Sequence, residues 1–276
     1  MSGRSGRGCR SLYTVGNMAS FVVIYYGNTG SSWLIQTLGS APGVMIPAFE
    51  PVEGWAWEAS DEEKLDWIRT AFSPPVEREG PGFEKWVERL AESPQFTELP
   101  TKDFDTVGFK MNGRAIEDQA GLIRLFAELG TKTIFLQRDN RIKHALSLYR
   151  YHEEQKSQFE LAGVRPPSKI KLKAFDRWAE DSTRLHENHL AFRGMAGSVL
   201  DADDITDVSY EEFVTPGGKA AVIDRLAGFL GLNREEVSHG EFEKATPDSL
   251  RDAVVNYERL RRHFRRTPLA RHFDDE

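Results

Sequence analysis

The stretch from Phe21 to Leu38, FVVIYYGNTGSSWLIQTL, constrains the fold more than any other part of this chain. It begins with apolar, β-branched and aromatic residues, the composition of a strand that is buried on both faces. A turn of small and polar residues follows, and after two serines Trp33, Leu34 and Leu38 recur at helical spacing. The stretch therefore predicts a strand, a glycine-containing turn and a helix.

The turn between this strand and this helix is a candidate anion site. It consists of Gly27, Asn28, Thr29 and Gly30, with Ser31 and Ser32 opening the helix. A turn of this kind directs backbone N–H groups and the positive end of a helix dipole at one point, which suits a phosphate or a sulfate. A plain strand-to-helix connection in any α/β domain gives the same pattern, and this stretch alone does not separate the two interpretations.

Later segments repeat the alternation of strand and helix. Thr106–Met111 and Thr133–Leu136 are predicted strands, with a helical pattern over Asp118–Leu129 between them. A last strand is predicted near Ile205–Ser209, followed by a helix over Ala220–Leu230. Strands that alternate with helices form a parallel sheet with crossover helices. The predicted fold is therefore an α/β, three-layer sandwich around a central parallel sheet.

Composition limits the class of protein and its partners. The net charge of −7 over 276 residues argues against general nucleic-acid affinity, and no apolar run approaches the length of a membrane span. Residues 1–20, rich in Gly, Ser and Arg, are predicted to be a disordered leader ahead of a single domain over 21–276. This leader is either a transit peptide or the product of a start placed upstream of Met18. It contains the only cysteine, Cys9, so no disulfide framework is expected, which fits a cytoplasmic location.

The proline-rich segment Ala41–Glu58 is predicted to be a loop that crosses near the glycine turn. It contains two carboxylates, Glu50 and Glu53, among aromatic residues such as Trp55 and Trp57. A carboxylate that such neighbours partly desolvate has the raised pKa that a general base requires. A solvated loop carboxylate is the plain alternative for both residues.

Basic residues follow the third predicted strand. Arg138 stands at its carboxyl end, the edge at which open α/β sheets bind ligands, and its guanidinium group is suited to bind a phosphate. The polar segment 155–173, broken by two prolines, is predicted to be a mobile lid. The arginine-rich stretch Arg251–Arg271 is either a solvated helix face or an arm that closes over an anion.

Three segments together resemble the sulfotransferases that use 3′-phosphoadenosine 5′-phosphosulfate (PAPS). The run TGSSWL, from Thr29 to Leu34, resembles the family's 5′-phosphosulfate loop. Arg138 and Ser147 resemble the pair that binds the 3′-phosphate, at a spacing closest to bacterial sulfotransferases of the trehalose 2-sulfotransferase and nodulation-factor type. VSYEEF, followed by a helix and FLGL, resembles the family's late strand and helix. The resemblance implies a P-loop, nucleotide-kinase-like fold that binds PAPS without a metal through Gly27 to Trp33, Arg138 and Ser147.

One position departs from the family pattern. Asn28 precedes the run TGSS, where the family has lysine or arginine to neutralise the sulfuryl group and its leaving phosphate. An amide donates a hydrogen bond but carries no charge, so another cation has to reach this position. The candidates are Lys110, near the end of the second predicted strand, and the C-terminal arginines.

The resemblance predicts in-line transfer of a sulfuryl group from PAPS to a hydroxyl of a small molecule or glycan, with Glu50 as general base and Asn28 and Lys110 at the reacting group. The alternative bases are Glu53, His144 and His152. Two other functions stay open: a nucleotide-binding protein of this fold that has lost catalysis, which Asn28 favours, and a kinase, against which the missing Walker lysine argues. The acceptor stays open among a sugar, a phenol and a lipid-like alcohol, and so does a homodimer.

Overall fold

The computed structural model of the chain describes residues 18–54, 57–77, 79–96, 104–154, 166–238 and 249–273. The predicted leader up to residue 17 with Cys9, the aromatic Trp55, and residues 155–165 of the predicted lid lie outside these ranges. The remainder of the lid segment is anchored. The Ser168 N–H donates to the Ala253 carbonyl at 2.9 Å, and the buried Arg150 donates to the Ser168 hydroxyl at 2.8 Å. This part is therefore held in place and does not match a lid.

Five parallel strands form one sheet in the order β2-β3-β1-β4-β5. Their bounds are Ala19–Tyr25 for β1, Val44–Met45 for β2, Thr106–Asn112 for β3, Lys132–Gln137 for β4 and Ile205–Ser209 for β5. The predicted central parallel sheet is confirmed. The strand β1 begins before Phe21, inside the predicted leader, because Ala19 and Ser20 pair with Thr106 and Val107.

Helices connect the strands and cover the sheet. Their bounds are Ser31–Gly39 (α1), Asp61–Ala71 (α2), Pro81–Leu90 (α3), Gln119–Leu129 (α4), Arg141–Glu153 (α5), Leu172–Gly197 (α6), Tyr210–Val214 (α7), Pro216–Leu230 (α8), Leu250–Ala253 (α9) and Tyr257–Phe264 (α10). Short 3₁₀ turns span Ala202–Asp204, Arg234–Glu236 and Pro268–Phe273. Among the described residues, no helix combines the length and the apolar composition needed to cross a membrane.

The side chains of β1 alternate between two hydrophobic cores. Val22 and Ile24 pack with residues of α2, α3 and α4, whereas Phe21 and Val23 pack with residues of α1 and α8. Both faces of the sheet are therefore covered, which explains why β1 is an almost unbroken apolar run and confirms the three-layer sandwich. A third core, among α5, α6, α9 and α10, lies beside these two.

The register of the sheet gathers three chain segments at one edge. Because β1 lies between β3 and β4, its carboxyl end is flanked by theirs: Tyr25 pairs with Asn112, and Ile24 pairs with Phe135. The glycine turn after β1, the end of β3 and the residues after β4 therefore meet at one place, as expected for the ligand-binding edge of an α/β sheet.

Candidate functional site

The turn after β1 is built on two residues with left-handed backbone angles. Asn28 has a φ of 62° and Gly30 has a φ of 84°. Asparagine is one of the few residues other than glycine that adopt this conformation readily, which gives a backbone reason for an asparagine at position 28. The helix α1 begins directly after Gly30, and no side chain caps its N-terminus.

This turn presents polar groups without partners. Over the described ranges, nothing accepts a hydrogen bond from the backbone N–H groups of Thr29, Gly30, Ser31 and Ser32, and the fully buried Thr29 hydroxyl has no partner either. A buried polar group without a partner costs about 1–3 kcal/mol. Since a helix N-terminus attracts negative charge, the turn is arranged to receive an anion.

Gly30 fits tightly beneath two aromatic rings of α7. A Cβ atom at this position would lie 2.7 Å from the Phe213 ring and 3.0 Å from the Tyr210 ring. We expect Gly30→Ala to lower the free energy of unfolding by roughly 2–4 kcal/mol, because backbone strain and overpacking add. Gly27→Ala is the matched control, since nothing lies within 4 Å of its Cβ position. Urea unfolding measures both variants, and equal stability would contradict this account of the turn.

Lys110 brings a buried cation to the start of α1. It pairs in register with Val23 of β1, and only 4% of its surface is exposed. Its Nζ atom lies 2.9 Å from Ser32 Oγ and 3.4 Å from Ser31 Oγ. The positive charge that Asn28 does not provide is therefore present at the turn, on the neighbouring strand.

Glu50 lies against the ammonium group of Lys110. Its Oε1 atom accepts hydrogen bonds from Lys110 Nζ at 2.5 Å and from the Tyr25 hydroxyl at 2.6 Å. The backbone fixes this part of the loop, because the Lys110 N–H donates to the Phe49 carbonyl at 3.1 Å. Glu50 Oε2 has no hydrogen-bond partner in the described ranges, and the side chain is 19% exposed, so this oxygen is open to a ligand.

Glu53, the alternative base, is buried beside the same tyrosine. Its Oε1 atom accepts from the backbone N–H of Asn112 at 2.6 Å and lies 3.4 Å from the Tyr25 hydroxyl. Burial raises the pKa of Glu53 above its ordinary value, the bond from Asn112 opposes that rise, and the charge of Glu50 adds to it. Burial also raises the pKa of Tyr25, so its phenol stays protonated.

Arg138 joins the end of β4 to the glycine turn. Its Nη1 atom donates to the Asn28 carbonyl at 3.2 Å, and its guanidinium group lies 4.3 Å from the centre of the Tyr210 ring. The residue is 5% exposed, yet its Nε atom has no partner among the described residues. A buried guanidinium nitrogen without a partner is placed to meet an anionic ligand.

Arg141 is a second buried arginine beside the first. Its guanidinium group donates to the Arg138 carbonyl and lies 3.3 Å from the Tyr26 hydroxyl. Neither arginine forms an ion pair with a carboxylate of the described chain. Two buried cations without carboxylate partners near one turn favour the binding of an anion there.

Two residues of the predicted nucleotide site have other surroundings. Ser147 is half-buried on α5, and within the described ranges no hydrogen bond joins it to Arg138 or to the turn. The Trp33 ring stacks on Phe213 with centroids 4.9 Å apart, and the Lys219 ammonium lies 4.7 Å from its centre. The pairing of Ser147 with Arg138 and the nucleotide contact of Trp33 stay predictions.

His144 contacts the backbone of the turn. It is fully buried, and its ring nitrogens lie 2.7 Å from the Gly27 carbonyl and 2.8 Å from the Ser182 hydroxyl. Because a carbonyl only accepts, the Nε2 atom carries a proton. The other histidine named as an alternative base, His152, stacks on Trp178 with centroids 4.5 Å apart, near the end of α5.

Three buried or half-buried histidines surround Tyr26. The ring centroids of His144, His186 and His189 lie 5.1, 6.2 and 5.0 Å from that of Tyr26. They do not form a metal site, and no group of three or more His, Cys, Asp or Glu that could hold a metal ion occurs in the described part of the chain. Burial lowers the pKa values of His144, His186 and His189 to about 3, 4 and 4.

These histidines predict acid sensitivity. An unfolded histidine titrates near pH 6.5, so between about pH 4 and 6.5 the unfolded chain binds more protons than the folded one. The stability that they contribute is complete above this window and is lost as the pH falls through it. We expect the Tm of His189→Phe to fall less than that of the wild type from neutral pH to about 4.5. The exposed His263, replaced by Phe, is the control; identical pH profiles for wild type and His189→Phe would contradict the prediction.

The arginines of α10 match one of the two alternatives for the C-terminal stretch. In α10, Tyr257, Leu260 and Phe264 pack into the core, whereas Arg261 and Arg262 are exposed. This pattern is that of a solvated helix face. α10 packs on α5 and α6. Of the two kinds of candidate named for the missing charge, Lys110 contacts the start of α1.

A surface cavity of about 500 Å³ opens beside Glu53. Its described lining is mainly polar, with alanine and glycine as the only apolar members. The charged or amide side chains in this lining are Glu53, Asp61, Lys64, Asn112, Arg114 and Glu117. Such a cavity suits a ligand that forms many hydrogen bonds.

Tyr25 and Tyr26 are site residues, although their sequence context indicates only a strand. Tyr25 contacts both loop carboxylates, and the Tyr26 hydroxyl exchanges 3.0 Å hydrogen bonds with the backbone of Arg138. A signal was present: two polar-tipped aromatics end an otherwise aliphatic strand directly before the turn, and buried tyrosines need a partner for the hydroxyl.

No family model and no curated protein matches this chain. Several solved structures resemble it. A sulfotransferase from Alicyclobacillus acidocaldarius is 16% identical with a TM-score of 0.49, over 93% of this chain and 94% of that one. The sulfotransferase domain of the olefin synthase from Synechococcus PCC 7002 is 15% identical with a TM-score of 0.45, over 88% and 83%. A mouse sulfotransferase complexed with PAP is 14% identical with a TM-score of 0.39, over 78% and 59%.

Proposed function

We propose that this protein is a PAPS-dependent sulfotransferase that moves a sulfuryl group to a hydroxyl of a small molecule or glycan. The observation that carries the proposal is the position of Lys110, whose Nζ atom contacts both Ser32 at the start of α1 and the carboxylate of Glu50. A cation, an anion-binding turn and a carboxylate with one open oxygen thus lie in one hydrogen-bonded group. Sulfuryl transfer to a hydroxyl requires these three elements.

The residues present fit a nucleotide that is phosphorylated at both ends. The turn and Lys110 would hold the 5′-phosphosulfate, and Arg138 with Ser147 would hold the 3′-phosphate. The unpartnered Thr29 Oγ1 and Arg138 Nε atoms, both buried, support one anion position each. Because Arg138 donates to the Asn28 carbonyl, the two positions are adjacent, which favours PAPS over a ligand with a single phosphate.

PAPS, when bound, supplies a sulfuryl group whose bond to the 5′-phosphate oxygen breaks as the acceptor oxygen bonds to sulfur. Glu50 takes the acceptor's hydroxyl proton on Oε2, the oxygen that has no other partner. Lys110 stabilises the negative charge that develops on the leaving oxygens, together with the N–H groups of the turn. Positioning and electrostatics supply most of the rate, by analogy with phosphoryl transfer.

We assign the acceptor to the cavity of about 500 Å³ beside Glu53. Glu53, which lines this cavity, contacts the same Tyr25 hydroxyl as the proposed base, Glu50. Its polar lining favours a sugar or another polyhydroxylated molecule over a phenol or a lipid-like alcohol. Transfer of radiolabelled sulfate to a panel of sugars, phenols and alcohols tests the assignment; preference for phenols would contradict it.

A thermal-shift comparison tests the function itself. 3′-Phosphoadenosine 5′-phosphate (PAP) at 100 times its Kd should stabilise the protein by about 2.7 kcal/mol, whereas ATP should stabilise it much less. Stabilisation by ATP alone would overturn the proposal in favour of a kinase. Stabilisation by PAP without sulfate transfer to any acceptor of a broad panel would favour the nucleotide-binding protein that has lost catalysis.

Arg138→Gln should weaken PAP binding about 100-fold, because a charge-assisted, bidentate contact is lost. Isothermal calorimetry measures the Kd. The matched control is Arg193→Gln, which removes an arginine that lies over the Phe135 ring and pairs with Asp207 at 2.8 Å. An unchanged Kd in Arg138→Gln would place the 3′-phosphate elsewhere.

A further inference from the structure

We infer that Tyr25 is a positioning residue for the proposed base: its hydroxyl holds one carboxylate oxygen of Glu50 and thereby keeps the other open to the acceptor. The inference rests on the proposed function for the role of Glu50. It adds a residue that sequence patterns assign to the strand alone.

The hydrogen bonds around Tyr25 are unequal. Its phenol has one proton, and the Oε1 atom of Glu50 lies at 2.6 Å, whereas the Oε1 atom of Glu53 lies at 3.4 Å. The proton therefore goes to Glu50. Glu53 Oε1 already accepts from the Asn112 N–H at 2.6 Å, so Glu53 has a donor of its own.

Both donors to Glu50 meet the same oxygen. Lys110 Nζ and the Tyr25 hydroxyl lie 2.5 and 2.6 Å from Oε1, and no described residue bonds to Oε2. Lys110 does not fix this arrangement by itself, because its ammonium group is shared with the hydroxyls of Ser31 and Ser32. The phenol of Tyr25 is attached to the end of β1, and the residue is 7% exposed. Tyr25 is therefore the contact that sets the orientation of the carboxylate.

The charged groups that face Glu50 come from each neighbouring element. Strand β3 contributes Lys110, the loop itself contributes Glu53, and α1 contributes only the uncharged Ser31 and Ser32. Strand β1 contributes Tyr25, which is neutral because burial raises its pKa. The Tyr25 hydroxyl thus lies between two carboxylates and donates to the one that is more exposed.

Tyr25→Phe removes the hydroxyl and keeps the ring. We expect kcat with PAPS to fall about 10-fold while the KM for PAPS changes little, because the hydroxyl contacts the loop carboxylates and none of the turn residues. The acid limb of the kcat profile, which reports protonation of the base, should move to higher pH. Tyr149→Phe is the control, since Tyr149 is a buried tyrosine that bonds to the Lys171 backbone N–H at 3.3 Å.

A second readout needs no turnover. In protein labelled with ¹³C at the glutamate carboxyl carbon, the Glu50 resonance is assigned by its absence in Glu50→Gln. Its titration should move to higher pH in Tyr25→Phe and to lower pH when fluorotyrosine, a stronger donor of nearly the same shape, replaces tyrosine. The measurement on fluorotyrosine-labelled protein tests the inference even if Tyr25→Phe does not fold.

The outcomes separate the two claims. A Glu50 titration that moves in opposite directions in these two samples, and not in Tyr149→Phe, supports the inference. A Glu50 titration that moves in neither sample overturns it. Neither result depends on PAPS. The absence of PAP binding would therefore overturn the proposed function without affecting the interpretation of the Glu50 titration.

Discussion

Turnover with PAPS should fall by roughly 10²–10⁴-fold when Glu50 is replaced by Gln, while PAP binding stays close to that of the wild type. The glutamine keeps the size of the side chain but cannot take a proton. Because the proposed base bonds to Lys110 and Tyr25 and to none of the turn residues, the loss is expected in kcat. Single-turnover sulfate transfer and PAP calorimetry measure the two quantities.

Glu53→Gln is the matched control for this prediction, since Glu53 is in the same loop and contacts the same tyrosine hydroxyl. It should lower turnover far less than Glu50→Gln. If the order of the two variants is reversed, the base is Glu53, and the raised pKa caused by its burial becomes part of the mechanism.

Lys110→Met should lower turnover by about 10²–10³-fold, the effect of removing one preorganised group that stabilises transition-state charge. Methionine fills the space of the lysine stem without the charge. Unlike Glu50→Gln, this variant should also weaken binding of PAP, because the ammonium lies at the anion-binding turn. The control is Lys132→Met, which removes a lysine that pairs with Asp204 at 2.9 Å at the start of β4.

The double variant tests whether Lys110 and Glu50 act as a unit. Their atoms are 2.5 Å apart, so the loss in Lys110→Met with Glu50→Gln should be smaller than the product of the two single losses. Full activity of Lys110→Met would contradict the assignment and would return the C-terminal arginines, which are exposed in α10, to consideration as the cation.

Much of the fold could be predicted because its signals are local. The apolar run of β1, the turn after it and the helical spacing of α4 identify their elements, and the alternation of strands and helices implies a parallel sheet. The short β2 could not be predicted, because Val44 and Met45 lie in a proline-rich segment and form a strand only through pairing with Thr106 and Val107. Such pairing is a tertiary effect.

The site was predicted in part for the same reason. Lys110 could be named as a candidate cation from its place near a strand end, but its contact with Ser32 depends on the register of β3 against β1, which the sequence does not state. In the sequence, Asn28 differs from the family pattern by its missing charge. Its positive φ, which a lysine adopts less readily, becomes visible in the structure.

Buried polar contacts were the hardest to predict. Arg141 is not part of a recognisable sequence motif. Its bonds to the Arg138 carbonyl and the Tyr26 hydroxyl arise from the packing of α5 against the ends of β1 and β4. Tyr25 meets Glu50 and Glu53 only because the loop returns across the end of β3. Composition favours a buried tyrosine with a partner but does not say which partner.

The strand order also has a consequence during translation. Strand β1 leaves the ribosome about 80 residues ahead of β3 and more than 100 ahead of β4, the two strands that pair with it. At a synthesis rate of 5–20 residues per second, it waits roughly 4–16 s with both edges unpaired. An apolar strand with open edges is prone to aggregate, so the nascent chain is expected to depend on chaperones in this interval. The segment that carries the anion-binding turn is thus synthesised early, whereas the strands that pair with it are synthesised late.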